Sequence, residues 1–127
     1  MTLHRILYAE DEPTIQAVAK LALERVGKFE VLICQNGLEA LEKVKEFAPD
    51  LILLDVIMPV LDGPATFQRL RDDPATAAIP VIFLTANVQP AEVAQYQALG
   101  AARVLAKPFN PMTLAQQLQQ IWDELHV

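Results

Sequence analysis

The sequence predicts an α/β protein, a five-stranded parallel sheet with helices on both faces, forming three layers. Three observations carry this. Short apolar runs alternate five times with stretches of helical periodicity, the pattern of parallel strands joined by right-handed crossovers. Two runs, Leu51-Ile52-Leu53-Leu54 and Val81-Ile82-Phe83-Leu84, are continuously apolar, as strands buried on both faces are. Finally, the runs end in polar residues such as Asp55 and Thr85, where open α/β sheets place their ligands.

Arg5 to Ala9 reads as the first strand and runs directly into Glu10-Asp11-Glu12. Pro13 suits a first helical position. Ile15, Val18, Ala19, Ala22, Leu23 and Val26 then recur at helical spacing up to Gly27, a C-terminal stop. Glu30 to Cys34 is the second strand. Asn36 with Glu39 resembles a capping box for a helix that turns Ala40, Leu41, Val44 and Phe47 inward and ends at Pro49. The central strand ends at Asp55. Asp62-Gly63 is a turn signal, followed by a helix from about Pro64 to Arg71. The fourth strand ends at Thr85. A helix from about Pro90 to Leu99 has a thin apolar stripe and Gly100 as its cap. Arg103 to Ala106 is the fifth strand, ending at Lys107-Pro108. Asn110 is expected to cap the last helix, striped by Leu114, Leu118, Ile121, Trp122 and Leu125.

The chain has 127 residues, of which 53% are hydrophobic and 20% charged, enough to build a core. One domain over residues 1–127 is expected. The net charge of −6 argues against direct contact with nucleic acid or an anionic membrane surface, both of which need clustered Lys and Arg. The single cysteine, Cys34, forms no intrachain disulfide and reads as a small buried hydrophobe. Ile6 to Ala9 is too short for a signal peptide, and no stretch approaches the roughly 20 apolar residues of a membrane span. A cytoplasmic location is the expectation.

Parallel strands end on one edge of the sheet, so their last residues are neighbours. The first strand delivers Glu10 and Asp11, the third Asp55, the fourth Thr85 and the fifth Lys107. Two carboxylates about 4 Å apart repel by roughly 4 kcal/mol at an effective dielectric of 20. A hard divalent cation such as Mg²⁺, which prefers oxygen ligands, relieves that repulsion. A carboxylate nucleophile, a cation, an amine and a hydroxyl together match phosphoryl transfer.

On these residues the chain resembles a response regulator receiver domain of two-component signalling, of the single-domain chemotaxis-regulator type. The matching pieces are Glu10-Asp11, Asp55-Val56-Ile57-Met58-Pro59 with Asp62-Gly63, Leu84-Thr85-Ala86, Gly100-Ala101 and Lys107-Pro108-Phe109. They cover essentially the whole chain in the family's order. The resemblance implies a flavodoxin-like sheet of order 2-1-3-4-5. It makes Asp55 the phosphoacceptor, fed by a histidine kinase or phosphotransfer protein. Mg²⁺ would be held by Asp11, Asp55 and the Ile57 backbone carbonyl, with Glu10 acting through a water. Lys107 would pair with Asp55 and then with the phosphoryl group. Thr85, with Ala86 beside it, would move toward the phosphate. The Lys107–Pro108 bond would be cis.

The role implied is regulatory rather than enzymatic, beyond self-phosphorylation and self-dephosphorylation. A stand-alone receiver signalling to a protein partner is expected. The fourth helix, fifth strand and fifth helix would offer a face for that partner or for a homodimer. Two departures stand out. Glu10 replaces the family's commoner Asp, and Val104 occupies the position that often carries Tyr or Phe as a second switch residue. The signal should therefore reach the fourth helix without an aromatic flip, and a bulky Ile57 should slow hydrolysis of the acyl phosphate. The alternative is a binding module of the same fold acting without phosphorylation. A haloacid-dehalogenase-type phosphatase would need an Asp where Ile57 stands. A flavodoxin would need a Gly/Ser/Thr loop where Glu10 and Asp11 stand.

Overall fold

The five apolar runs become five parallel strands in the computed structural model, which describes residues 2–127. They are β1 (Arg5–Ala9), β2 (Glu30–Cys34), β3 (Leu51–Asp55), β4 (Val81–Thr85) and β5 (Arg103–Ala106), in the order β2-β1-β3-β4-β5. Every residue of β3 and β4 is buried. Full burial of a Leu or Ile side chain contributes about 1.5–3 kcal/mol, so the continuous runs belong in the middle of the sheet. The register pairs Asp55 with Leu84 and Thr85 with Ala106, which brings the polar strand ends to one edge.

Helices cover both faces. Tyr8, Leu53 and Leu84 pack against Ala19, Leu23, Leu114, Leu118 and Trp122 from the first and last helices. Leu7, Leu54 and Phe83 pack against Ala40, Val44, Phe67, Leu70 and Tyr96 from the middle three. Cys34 is buried in this second core, and burial pushes its thiol up to about 12.

The helix starts show which cap each sequence signal produced. α1 (Pro13–Leu21) is capped by Glu12, whose carboxylate accepts from the backbone N–H groups of Thr14 and Ile15. α2 (Gly37–Phe47) is capped by Asn36, whose side chain accepts from Glu39 N at 2.8 Å. The Glu39 carboxylate reaches one residue past the usual box, to Gln35 N at 3.1 Å. Asp62 caps α3 (Gly63–Asp72) by accepting from Ala65 N at 2.9 Å.

Two expectations are corrected. The first helix does not stay α-helical to Gly27: Ala22–Val26 form a π-helical turn. A wider turn changes which side chains face inward. Leu23 stays fully buried, while Val26, expected in the buried stripe, is 50% exposed. Asn110 does not cap the last helix directly. Its side chain accepts from Met112 N and its carbonyl from Thr113 N and Leu114 N, making a separate turn, and α5 (Leu114–Leu125) begins after it. The remaining helix, α4 (Pro90–Leu99), buries a single residue, Tyr96. Among the described residues no helix is long and apolar enough to cross a membrane.

Candidate functional site

The site lies where β1, β3, β4 and β5 end. Asp55 is the last residue of β3, and the chain beyond it stays tied to the sheet because Val56 N donates to Leu84 O at 3.0 Å. Glu10 follows β1 and extends its ladder through a bond from its N–H to Cys34 O at 2.9 Å. Lys107 N donates to Thr85 O at 2.8 Å, fixing the end of β5 beside that of β4. The Lys107–Pro108 peptide is cis.

Gly63 sets the floor. A Cβ at this position would lie 2.5 Å from the carbonyl oxygen of Asp55 and 2.9 Å from Cα of Val56, both backbone atoms that cannot swing aside. Gly63→Ala is therefore expected to cost about 3 kcal/mol and to displace Asp55. Urea unfolding checks this; an unchanged midpoint would mean that the backbone yields at no cost.

The side chains converge on one ammonium. Lys107 Nζ lies 2.9 Å from Asp55 Oδ2 and 2.9 Å from Glu10 Oε1. Both carboxylates are buried, Glu10 at 1% exposure and Asp55 at 5%. Glu10 Oε1 also accepts from the Tyr8 hydroxyl at 3.2 Å, and its Oε2 accepts from Glu12 N at 3.1 Å. Asp11 is exposed. Thr85 Oγ1 accepts from Asn87 N at 3.1 Å, so the hydroxyl oxygen organises the start of the following loop. These groups line a cleft of about 290 Å³, together with Glu12, Ile15, Val56, Ile57 and Ala86. The Ile57 side chain stands at its edge, 81% exposed.

Burial pushes the Asp55 carboxyl up to about 6; Lys107 pulls it down and Glu10 pushes it up. Its ordinary value is 3.8. Burial pulls Lys107 down, but its hydrogen bonds to Glu10 and Asp55 outweigh that and hold it above the usual lysine range. One ammonium thus balances two buried acids, with Asp11 a third negative charge on the rim.

The residues fit a divalent cation. Glu10, Asp11 and Asp55 each offer an oxygen, all within 4.8 Å of one another, and the donor set is all carboxylate, as a hard cation prefers.

All the sequence-predicted site residues except Val104 line this cleft, or adjoin it at the cis Lys107–Pro108 peptide. Val104 lies one layer down, paired with Phe83 and packed against the second core. In the same core, Tyr96 of α4 meets Phe83 in a tilted ring contact, 5.2 Å between centres and 55° between planes. Tyr8 was read only as a strand residue. The signal for its hydrogen bond to Glu10 was its spacing: in a strand, residues two apart share a face, and Glu10 is two residues on.

Comparison with known proteins agrees with this geometry. A family model described as a response regulator receiver domain matches residues 6–119. Among curated relatives, transcriptional regulatory protein CseB of Streptomyces coelicolor is 35% identical over 116 residues, 91% of this chain and 48% of that protein. The DNA-binding dual master transcriptional regulator RpaA of Synechocystis is 39% identical over 106 residues, 84% of this chain and 44% of that protein. The chain thus spans about half the length of the curated relatives it matches. Among solved structures, the chemotaxis response regulator CheY4 of Vibrio cholerae superposes with a TM-score of 0.86 at 32% identity, covering 94% of this chain and 99% of that one.

Proposed function

This chain belongs to the response regulator receiver family, and from that premise we propose that Asp55 accepts a phosphoryl group from a phosphohistidine on a sensor kinase or phosphotransfer protein. A receiver domain is a regulatory device of two-component signalling rather than a classical enzyme. The observation that carries the proposal is Asp55 itself: a buried carboxylate at a strand end, opening on a cleft and held 2.9 Å from Lys107.

In the transfer, an Asp55 oxygen attacks the phosphorus. The O–P bond forms as the N–P bond breaks, and the histidine nitrogen leaves with the electron pair. With its carboxyl at about 6, Asp55 is mostly ionised at neutral pH and able to attack. Lys107 is placed to follow the charge from the Asp55 carboxylate to the phosphoryl oxygens. Thr85 lines the same cleft, and its hydroxyl proton is free of the bond its oxygen accepts from Asn87 N, so it can donate to one of those oxygens. The Ala86 backbone follows in the same cleft wall. Mg²⁺ would be held by Asp11, Asp55 and the backbone carbonyl of Ile57, with Glu10 acting through a water. When bound it neutralises charge on the equatorial phosphoryl oxygens.

The output is a protein contact. Val104 supplies no ring to flip, so a shift of Thr85 passes through the loop to α4, whose Tyr96 rests on Phe83. We place the partner on the face of α4, β5 and α5, where a second copy could also dock. We propose a diffusible, stand-alone form, set against curated relatives about twice the length of this chain. An immunoblot of source cells tests it: a band well above the mass of 127 residues would show a longer regulator.

Incubation with a small-molecule phosphodonor and Mg²⁺ is expected to add one phosphoryl group, located on Asp55 by peptide mass spectrometry, and chelation of the cation should abolish the reaction. Size-exclusion chromatography of the product distinguishes self-association from a monomer awaiting a partner. A protein that takes no phosphoryl group, or takes it elsewhere, would support the binding-module alternative.

A further inference from the structure

We propose that Tyr8 is a positioning residue of this site, and that through Glu10 it governs how Lys107 divides between the two buried carboxylates. This rests on the reading of Asp55 as phosphoacceptor and adds a residue to that machinery.

Tyr8 sits in β1 with no exposed surface, and its hydroxyl points along the strand face toward the site. It donates to Glu10 Oε1 at 3.2 Å, the same oxygen that Lys107 Nζ approaches at 2.9 Å. Lys107 Nζ in turn lies 2.9 Å from Asp55 Oδ2. A continuous line therefore runs Tyr8, Glu10, Lys107, Asp55, with one ammonium shared between two acids. A buried carboxylate must be satisfied by donors, and each donor from elsewhere weakens its hold on the ammonium. Glu10 has two neutral donors, the Tyr8 hydroxyl and the Glu12 backbone N–H at 3.1 Å. With both in place, Glu10 stays satisfied when Lys107 turns toward a phosphoryl group on Asp55. Without the hydroxyl, Glu10 keeps only the backbone donor and draws Lys107 back. The cost falls on the phosphorylated state and on the path to it, which need the ammonium most.

Side-chain length makes Tyr8 and Glu10 a matched pair. An aspartate at position 10 would carry its carboxylate one methylene nearer the backbone and would not present the same oxygen to the hydroxyl. The effect of Tyr8 should therefore vanish when Glu10 is shortened.

The test uses the full chain as wild type, Tyr8→Phe, Glu10→Asp and the double variant. Initial rates of phosphorylation by a small-molecule phosphodonor with Mg²⁺ are measured alongside thermal unfolding. Tyr8→Phe removes one oxygen and is expected to slow phosphorylation on the order of tenfold, the scale of one hydrogen bond to a charged group. In the Glu10→Asp background the same change should alter the rate by less than about twofold. Carbon-13 NMR of the side-chain carboxylates, without metal or phosphodonor, supplies a second readout: the Glu10 and Asp55 resonances should both move in Tyr8→Phe. A wild-type rate with unmoved resonances overturns the proposal. So does equal slowing in both backgrounds, which would mean that Tyr8 acts through packing alone. A wild type that takes no phosphoryl group refutes the phosphoacceptor reading instead, and the NMR arm still decides whether Tyr8 sets the sharing of Lys107.

Discussion

Asp55→Asn is expected to abolish phosphorylation and, at the same time, to make the protein more stable at neutral pH by about 1–3 kcal/mol. The loss of function follows from chemistry, since an amide is no nucleophile for phosphorus. The gain in stability follows from burial. The folded protein holds a proton on Asp55 up to about pH 6, against an ordinary value of 3.8. A carboxyl raised in this way binds its proton more tightly in the folded state than in the unfolded chain. Stability therefore falls as pH rises from about 4 to about 6, and the cost is complete above that window. Asparagine keeps the shape, drops the charge and leaves Lys107 paired with Glu10 at 2.9 Å. Urea unfolding without divalent cation should show the variant ahead at pH 7.5 and level with the wild type near pH 4. Equal midpoints at both pH values would mean that Lys107 already cancels the cost of burying Asp55.

Lys107→Met should do the reverse. It leaves Glu10 and Asp55 buried side by side with no counter-charge, and breaking a buried ion pair from one side costs about 3–5 kcal/mol. Asp55, already raised by burial, then loses the ammonium that pulls its carboxyl down, so part of the lost stability should return as pH falls and Asp55 takes up its proton. In the wild type the contribution of Lys107 runs the other way. Its raised value means that the contribution is present throughout the neutral range and is lost only as alkaline pH deprotonates the amine. Phosphorylation of the variant should be severely slowed, because no ammonium meets the incoming phosphoryl charge. Denaturation midpoints at neutral and mildly acid pH decide the matter: a variant as stable as the wild type at pH 7.5 would show that water or a side-chain shift replaces the ammonium.

Much of this was legible in advance because the informative features are periodic or sit at strand ends. The apolar runs at Leu51 and Val81 could only be central strands, and a parallel sheet then forces Glu10, Asp55, Thr85 and Lys107 onto one rim. What was not legible depends on geometry that periodicity does not encode. The π-helical turn at Ala22–Val26 has no compositional signal, and it turned Val26 outward against its spacing. Asn110 looked like a helix cap but heads a turn of its own. The sharing of Lys107 between two acids could not be read either, because side-chain reach across two strands is invisible in a linear string. The Tyr8 hydroxyl was hidden for a different reason: a tyrosine in an apolar strand reads as bulk.

The backbone around Asp55 and the fourth helix differ in their tolerance of change. Gly63 lies so close to the backbone of Asp55 that even one added carbon intrudes, and Gly37 is equally hemmed in by Thr66 and the Leu61 carbonyl. α4, by contrast, is held by the single buried ring of Tyr96, with Ala91, Gln95, Gln97 and Ala98 facing outward. Drift can therefore rewrite the outer surface of α4 at little thermodynamic penalty, while the reactive centre stays frozen. On the docking face proposed above, new allegiances can then evolve without any retuning of the cleft beneath it.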